Sequence, residues 1–198
     1  GIYWFFTKIW NGRVKFPPLE RNVFAGREGN TVDPKVQVIG VQAENAASYV
    51  PSLRYGKPKQ IDTKPTIADG IAVAKPGAIP FELIKTHIDK VVTVTDDDIA
   101  KAIVTLLERS KLVVEPAGAV TVAALMTGAF KPKGRTVAVL SGGNFDPLLM
   151  QKVIGHGLVA SDRYVTISVM LPDRPGMLVK TAEAIASAHG NVVEVMHT

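Results

Sequence analysis

Apolar residues in this chain recur in short runs, set apart by polar stretches that carry glycine or proline. Val36-Gln-Val-Ile-Gly-Val41 is a β-branched run of the kind that forms a buried strand in a parallel sheet. The Pro-, Gly- and Lys-rich stretch from Pro51 to Pro65 reads as a surface loop. Pro80 opens a short helix through Ile88, and Val91-Val-Thr-Val94 predicts another strand. Thr95 or Asp96 can cap the next helix, in which Ile99, Ile103 and Leu106 or Leu107 share one face. Asp96, Asp97 and Asp98 sit at its positive end, where carboxylates are favourable. Leu112-Val-Val114 predicts a further strand. Pro116 then takes the first position of a helix over Ala117–Met126, whose small side chains suit close packing on a sheet. Thr136-Val-Ala-Val-Leu140 is the clearest buried strand in the pattern, and it runs through Ser141-Gly-Gly-Asn144 into a helix from about Asp146 to Ile154. Strands alternating with helices in this way predict an α/β layer with a parallel sheet.

The two ends differ from this middle. Residues 1–34 hold Trp4, Trp10, Tyr3, Phe5, Phe6, Phe16 and Phe24 with no period of 2 or 3.6; the stretch reads as irregular and receives no function. After Gly157 the pattern restarts. Tyr164–Met170 alternates like a half-exposed strand, Asp173-Arg-Pro-Gly176 begins a helix with Leu178, Ala182, Ile185 and Ala186 on one face, and Gly190 ends it as a left-handed cap. Val192–Met196 reads as a second strand. This β-α-β unit is too small to close a core, and the boundary before it falls near Leu158–Asp162. The chain therefore divides into residues 1–34, 35–160 and 161–198.

Composition narrows the functional classes. Hydrophobic residues make up 46% and charged residues 21%, which is globular composition. The net charge of +5 is spread along the chain, with no basic run interleaved with aromatics, so nucleic acid is not an expected partner. There is no cysteine, which excludes disulfides, thiolate catalysis and cysteine-held metals. The opening Gly1–Phe6 is too short for a signal core, and no apolar run approaches the roughly 20 residues that span a bilayer. A soluble, cytoplasmic chain without a membrane partner is expected.

Three segments carry candidate chemistry. Ser141-Gly142-Gly143-Asn144 follows a strand and precedes a helix, so its glycines can turn backbone amides toward a ligand at the sheet edge; an ordinary βα turn has the same pattern. Glu115 before Pro116 is either a pocket carboxylate or a charge at a helix start. Gly70 within Ile67-Ala-Asp-Gly-Ile71 permits a close backbone approach, or simply a bend. A Rossmann half would need a Gly-x-Gly-x-x-Gly loop, which is missing. The histidines, His87, His156, His189 and His197, are scattered and read as surface or helix-end residues.

Taken in order, Val38-Ile-Gly-Val-Gln-Ala-Glu44, Thr66-Ile-Ala-Asp-Gly-Ile-Ala-Val73, Val91-Val-Thr-Val94, Glu115-Pro-Ala-Gly-Ala119 and Leu140-Ser-Gly-Gly-Asn144 resemble the threonine/serine dehydratases of the fold type II pyridoxal-phosphate family. The resemblance implies that residues 35–160 are the C-terminal part of the catalytic region and use pyridoxal 5'-phosphate. It implies that Ser141 meets the pyridine nitrogen, and that Gly70, Glu115, Gly142, Gly143 and Asn144 line the cofactor cleft. The implied reaction turns threonine into 2-oxobutanoate and ammonia, with serine as a second substrate. Glu44 matches a position that binds a divalent cation in some relatives. Asn45–Val50 supplies no second acidic ligand, so no metal is assigned.

The family's Schiff-base lysine belongs to a Ser-Phe-Lys-type motif that this sequence does not contain, and Ala25-Gly-Arg-Glu-Gly-Asn30 is no substitute for the glycine loop that binds the cofactor phosphate. No catalytic residue is assigned, and the chain is expected to be a fragment that is inactive alone. Residues 161–198, through Asp173-Arg-Pro-Gly-Met177 and Gly190-Asn191, resemble the first β-α-β of a ferredoxin-like ACT regulatory domain. That resemblance implies an amino-acid effector near Asp173, Gly176 and Asn191, and a homo-oligomer. The rival function is a non-catalytic, amino-acid-sensing regulatory or interaction module.

Overall fold

The computed structural model describes residues 6–10 and 36–196. The segment Ala25–Asn30 and His197 lie outside the described residues. In chain order the elements are strands β1 (Phe6–Trp10) and β2 (Gln37–Ala43), helices α1 (Tyr49–Tyr55) and α2 (Ala78–His87), strand β3 (Lys90–Val94), helices α3 (Asp96–Thr105) and α4 (Pro116–Met126), strand β4 (Arg135–Ala138), and helices α5 (Pro147–Ala160) and α6 (Met177–Ser187). The chain divides after Tyr164 into two compact units.

In the first unit the strands form one sheet in the order β3-β2-β1-β4. The pair β2 and β3 is parallel, with Val41 opposite Val92, as expected of strands joined through helices. The surprise is β1, which runs antiparallel to both β2 and β4 and joins them, pairing Phe6 with Gly40 and Thr7 with Ala138. The irregular reading of residues 1–34 is therefore wrong over Phe6–Trp10.

Helices α3, α4 and α5 build the core with the sheet. Ile39, Val41, Val92 and Val94 from the strands meet Ile99 and Ile103 of α3, Ala119, Val120 and Ala123 of α4, and Val153 of α5. The start of α3 follows from its sequence. Thr95 accepts from the Asp98 amide while Asp98 accepts from the Thr95 amide, a reciprocal cap on two donors that a helix start leaves free. Beyond Thr105 this helix widens into a π-helical turn, Leu106–Ser110. A smaller cluster joins α1 and α2 through Tyr49, Phe81 and Ile84.

Several local expectations are corrected. Pro51–Tyr55 is helical rather than loop: Pro51 falls in the first turn of α1, where a missing N–H removes no helix bond, and Gly56 ends the helix at φ 70°. Leu112–Val114 does not form a strand, and Leu112 and Val113 are exposed. Among the described residues the strand near Thr136–Leu140 is a short edge strand paired only with β1, and Val137 and Val139 are each 42% exposed. Helix α5 runs to Ala160, past the expected end at Ile154, because Asp146 caps it by accepting from the Leu149 amide and nothing interrupts it before Ser161.

The second unit contains α6, flanked by segments without regular secondary structure. Tyr164–Met170 and Val192–Met196 carry no ladder pairing, so the strands expected there are not formed as a sheet. Helix α6 begins at Met177, after Gly176 at φ 84°, so Asp173-Arg-Pro-Gly176 precedes the helix rather than forming its first turn. The left-handed residue at its end is His189, at φ 60°, and not Gly190. Gly190 serves a different purpose: a β-carbon there would lie 2.7 Å from the Ile185 side chain. No helix among the described residues is long and apolar enough to cross a membrane.

Candidate functional site

The site is assembled where α4 passes under the segment that leaves β4. Thr121, buried on α4, donates its hydroxyl to the Val139 carbonyl at 3.0 Å. Gly118 lies three residues earlier on the same helix, hence on the same face, and touches the next stretch of that segment. A β-carbon at Gly118 would stand 1.8 Å from the Ser141 carbonyl oxygen, so only glycine allows this approach. The helix and the strand exit are thus locked together at two successive levels.

The next residue turns the chain. Gly142 adopts φ 76°, in the left-handed region that favours glycine, and its carbonyl accepts from the Glu115 amide at 3.0 Å. The Glu115 side chain lies over Gly142, close enough that a β-carbon there would be 2.1 Å from its carboxyl carbon and from Oε1. Glu115 is also the residue immediately before α4, so the helix start fixes where its carboxylate can reach. Glu115 thus flanks a helix start and also lies against the turn that follows Ser141.

Gly70 completes the edge. It lies in a 3₁₀ turn, Asp69–Ile71, and its added β-carbon would meet that of Ala117 at 3.3 Å, next to the Gly118–Ser141 contact. Ser141 and Glu115 are half-buried, while Gly70, Gly142, Gly143 and Asn144 are exposed. Gly70, Glu115, Ser141, Gly142 and Gly143 thus converge. Asn144 lies on the outgoing loop, two residues before the Asp146 cap of α5. The role of Gly118 could be found in sequence only as one glycine in a helix of small residues.

Other candidates lie elsewhere. Glu44 is exposed at the start of a 3₁₀ turn, Glu44–Ala46. Lys131 and Lys133 are exposed between α4 and β4. His156 on α5 contacts Asp97 at 2.7 Å. Asp173, Gly176 and Asn191 are exposed in the second unit.

The family model described as "Pyridoxal-phosphate dependent enzyme" matches residues 24–142, a span that holds Gly70, Glu115, Gly118, Ser141 and Gly142. The chain belongs to the pyridoxal-phosphate dependent enzyme family. Within that family it is 46% identical over 168 residues to the L-threonine ammonia-lyase of Thermotoga maritima, and 47% identical over 165 residues to that of Geobacter sulfurreducens. These alignments cover 84% and 83% of this chain but 42% and 41% of the relatives, so the chain spans less than half of their length. Among solved structures it is similar to the processed form of threonine deaminase isoform 2 from Solanum lycopersicum, with TM-score 0.58 and 32% identity over 63% of this chain and 37% of that one. It is also similar to the crystal structure of a T.th. threonine deaminase, with TM-score 0.54 and 34% identity over 58% of this chain and 42% of that one. The family and the α/β architecture expected from sequence are borne out.

Proposed function

We propose that this chain forms one wall of a threonine/serine dehydratase site, the wall that faces the pyridoxal phosphate ring in an enzyme converting L-threonine to 2-oxobutanoate and ammonia. The observation that carries the reading is the half-buried Ser141, followed by exposed Gly142 and Gly143 where three segments converge. The chemistry of these groups fits the ring. A hydroxyl can donate to a pyridine nitrogen, and glycines leave the space beside it free of side chains. Ser141 would hold the ring nitrogen, with Gly70, Glu115, Gly142, Gly143 and Asn144 bordering the cleft.

Bound pyridoxal phosphate supplies an electron sink for the carbon that loses its proton. Ser141 tempers that sink, because a neutral hydroxyl donates a hydrogen bond without placing a full charge beside the ring. A tempered sink suits an elimination in which the substrate hydroxyl leaves as the α-proton is lost. The Glu115 amide, donating to the Gly142 carbonyl, holds the turn that follows Ser141. Lys131 and Lys133 are exposed to water, and neither is assigned as the Schiff-base lysine.

The test is a titration of the 198-residue chain with pyridoxal phosphate, followed by cofactor fluorescence, alongside Ser141→Ala. Saturable binding that Ser141→Ala weakens severalfold supports the reading; no binding, or binding indifferent to that substitution, overturns it. We also propose that the isolated chain gives no 2-oxobutanoate from threonine, and turnover by it would refute this part. For the second unit we propose a partial ACT-like module with an amino-acid effector near Asp173, Gly176 and Asn191. Helix α6 lying between two β-branched, alternating stretches, Tyr164–Met170 and Val192–Met196, supports it. Calorimetry with isoleucine, valine and threonine tests it, and no heat of binding from any of the three would refute it.

A further inference from the structure

The three aspartates that open α3 have three different partners. Asp98 closes the cap with Thr95, and Asp97 meets His156 on α5. Asp96 turns away from both and uses its two carboxylate oxygens on another segment. Oδ1 accepts from the Thr66 hydroxyl at 2.5 Å, and Oδ2 accepts from the Ile67 amide at 3.1 Å. The Thr66 hydroxyl oxygen in turn accepts from the Ala68 amide at 3.2 Å, so one carboxylate orders three consecutive residues.

Those three residues lead directly into the turn that presents Gly70. The Ala68 carbonyl accepts from the Ile71 amide at 3.1 Å, and the Asp69 carbonyl accepts from the Ala72 amide at 3.0 Å. Ala68 is fully buried, whereas Asp69 and Gly70 are exposed. The turn is short, has no side-chain cap of its own, and stands on a stem held by a carboxylate from a different element. Charge-assisted hydrogen bonds of this kind are shorter and about twice as strong as neutral ones.

We propose that Asp96 is a positioning residue for the Gly70 side of the cleft, acting through Thr66, Ile67 and Ala68. The functional half of this proposal rests on the cofactor wall argued above. The fold ties the two together: the helix whose first residue clamps the 66–68 stem, α3, also packs its buried face on α4, which carries the Ala117 contact to Gly70. Loss of the clamp frees the stem at the point where the cleft depends on its register.

The experiment compares Asp96→Ala, Asp98→Ala, Thr66→Val and Thr66→Ser in the 198-residue chain. Asp98→Ala is the control, because it removes a cap bond at the same helix end without touching residues 66–71. Amide hydrogen exchange is read at residues 67–72, together with the pyridoxal phosphate titration and urea unfolding. Asp96→Ala and Thr66→Val should each speed exchange at residues 67–72 by about tenfold and weaken cofactor binding severalfold. Asp98→Ala should lower the urea midpoint yet leave exchange at those amides and cofactor affinity unchanged, and Thr66→Ser should behave as the unsubstituted chain. Equal effects of Asp96→Ala and Asp98→Ala on local exchange would overturn the clamp. Local exchange that rises while cofactor affinity stays constant would overturn its functional role. If the unsubstituted chain fails to bind the cofactor, the cleft reading and that role both fall, and exchange alone still decides whether Asp96 holds the stem.

Discussion

Gly118→Ala tests the packing on which the site stands. Alanine is favoured over glycine by about 1 kcal/mol in a helix interior and by no more than that at Gly118, the third residue of α4, so propensity alone predicts a stabilised protein. The contact predicts the reverse. The new β-carbon would stand 1.8 Å from the Ser141 carbonyl oxygen and 2.9 Å from both the Ser141 carbonyl carbon and a Val114 methyl. The Val114 side chain can turn aside, but the Ser141 carbonyl belongs to the main chain, and Thr121 ties the same segment to α4 through Val139. The helix and the Ser141 turn must therefore separate by more than about 1 Å, which breaks close packing along the face. Overpacking of this sort costs about 1–3 kcal/mol, and a main-chain clash belongs at the upper end. After the propensity gain, the expected net loss is about 2 kcal/mol, or a fall of about 4–8 °C in Tm for a chain of this size. Gly155→Ala in α5 supplies the control, since a β-carbon there meets nothing within 4 Å and the change should stabilise by about 0.5–1 kcal/mol. Urea unfolding of both variants, with the cofactor titration on Gly118→Ala, reads the result. If Gly118→Ala raises the midpoint as Gly155→Ala does, the close approach of α4 to Ser141 is refuted.

Two further predictions concern other parts of the first unit. Gly142→Ala combines a left-handed backbone at φ 76° with a clash against Glu115, and should destabilise by about 2 kcal/mol; adding Glu115→Ala should restore the steric part and leave about 1 kcal/mol of backbone strain, measurable as a double-mutant cycle. Burial pushes the Tyr49 hydroxyl up from 10.0 to about 12, so the folded state holds this proton more tightly than the unfolded one. Its contribution is complete below pH 10 and is lost as the pH rises through about 12, an effect of up to about 2–3 kcal/mol that Tyr49→Phe should remove from the pH dependence of the urea midpoint.

Local signals in the sequence located most elements, and they failed where the deciding interaction is distant. Thr95 and Asp98 predict a helix start because both halves of the cap lie within four residues. Pro116 predicts the start of α4 for a similarly local reason. Strands β2 and β3 were legible because they are buried and β-branched, and their parallel pairing follows from the two helices between them. The strand Phe6–Trp10 was not, since its existence depends on partners about 30 and 130 residues away. Position in the sheet was equally hidden: Thr136–Leu140 is as apolar as a central strand yet lies at an edge among the described residues. At the end of α6 the pattern His189-Gly190 predicted a left-handed glycine, but the positive φ falls on His189 while Gly190 answers a close contact with Ile185.

The same distinction explains why the candidate site was only partly readable. A glycine in sequence can mean a turn or an approach, and only the fold says which. Gly142 is both, Gly70 is an approach to Ala117, and Gly118 is an approach so tight that it decides where Ser141 stands. Aspartates pose the matching problem: all three at the start of α3 suit the helix end, and sequence alone treats them as equivalent. Their partners separate them, and only Asp96 reaches the stem below Gly70. The wall around Ser141 is therefore held by missing side chains on one side and by a single carboxylate on the other. Such a wall should respond sharply to added volume at Gly118 or Gly142 and to loss of the Asp96 acceptors, while exposed charges such as Lys131 and Lys133 can be changed with little consequence for it.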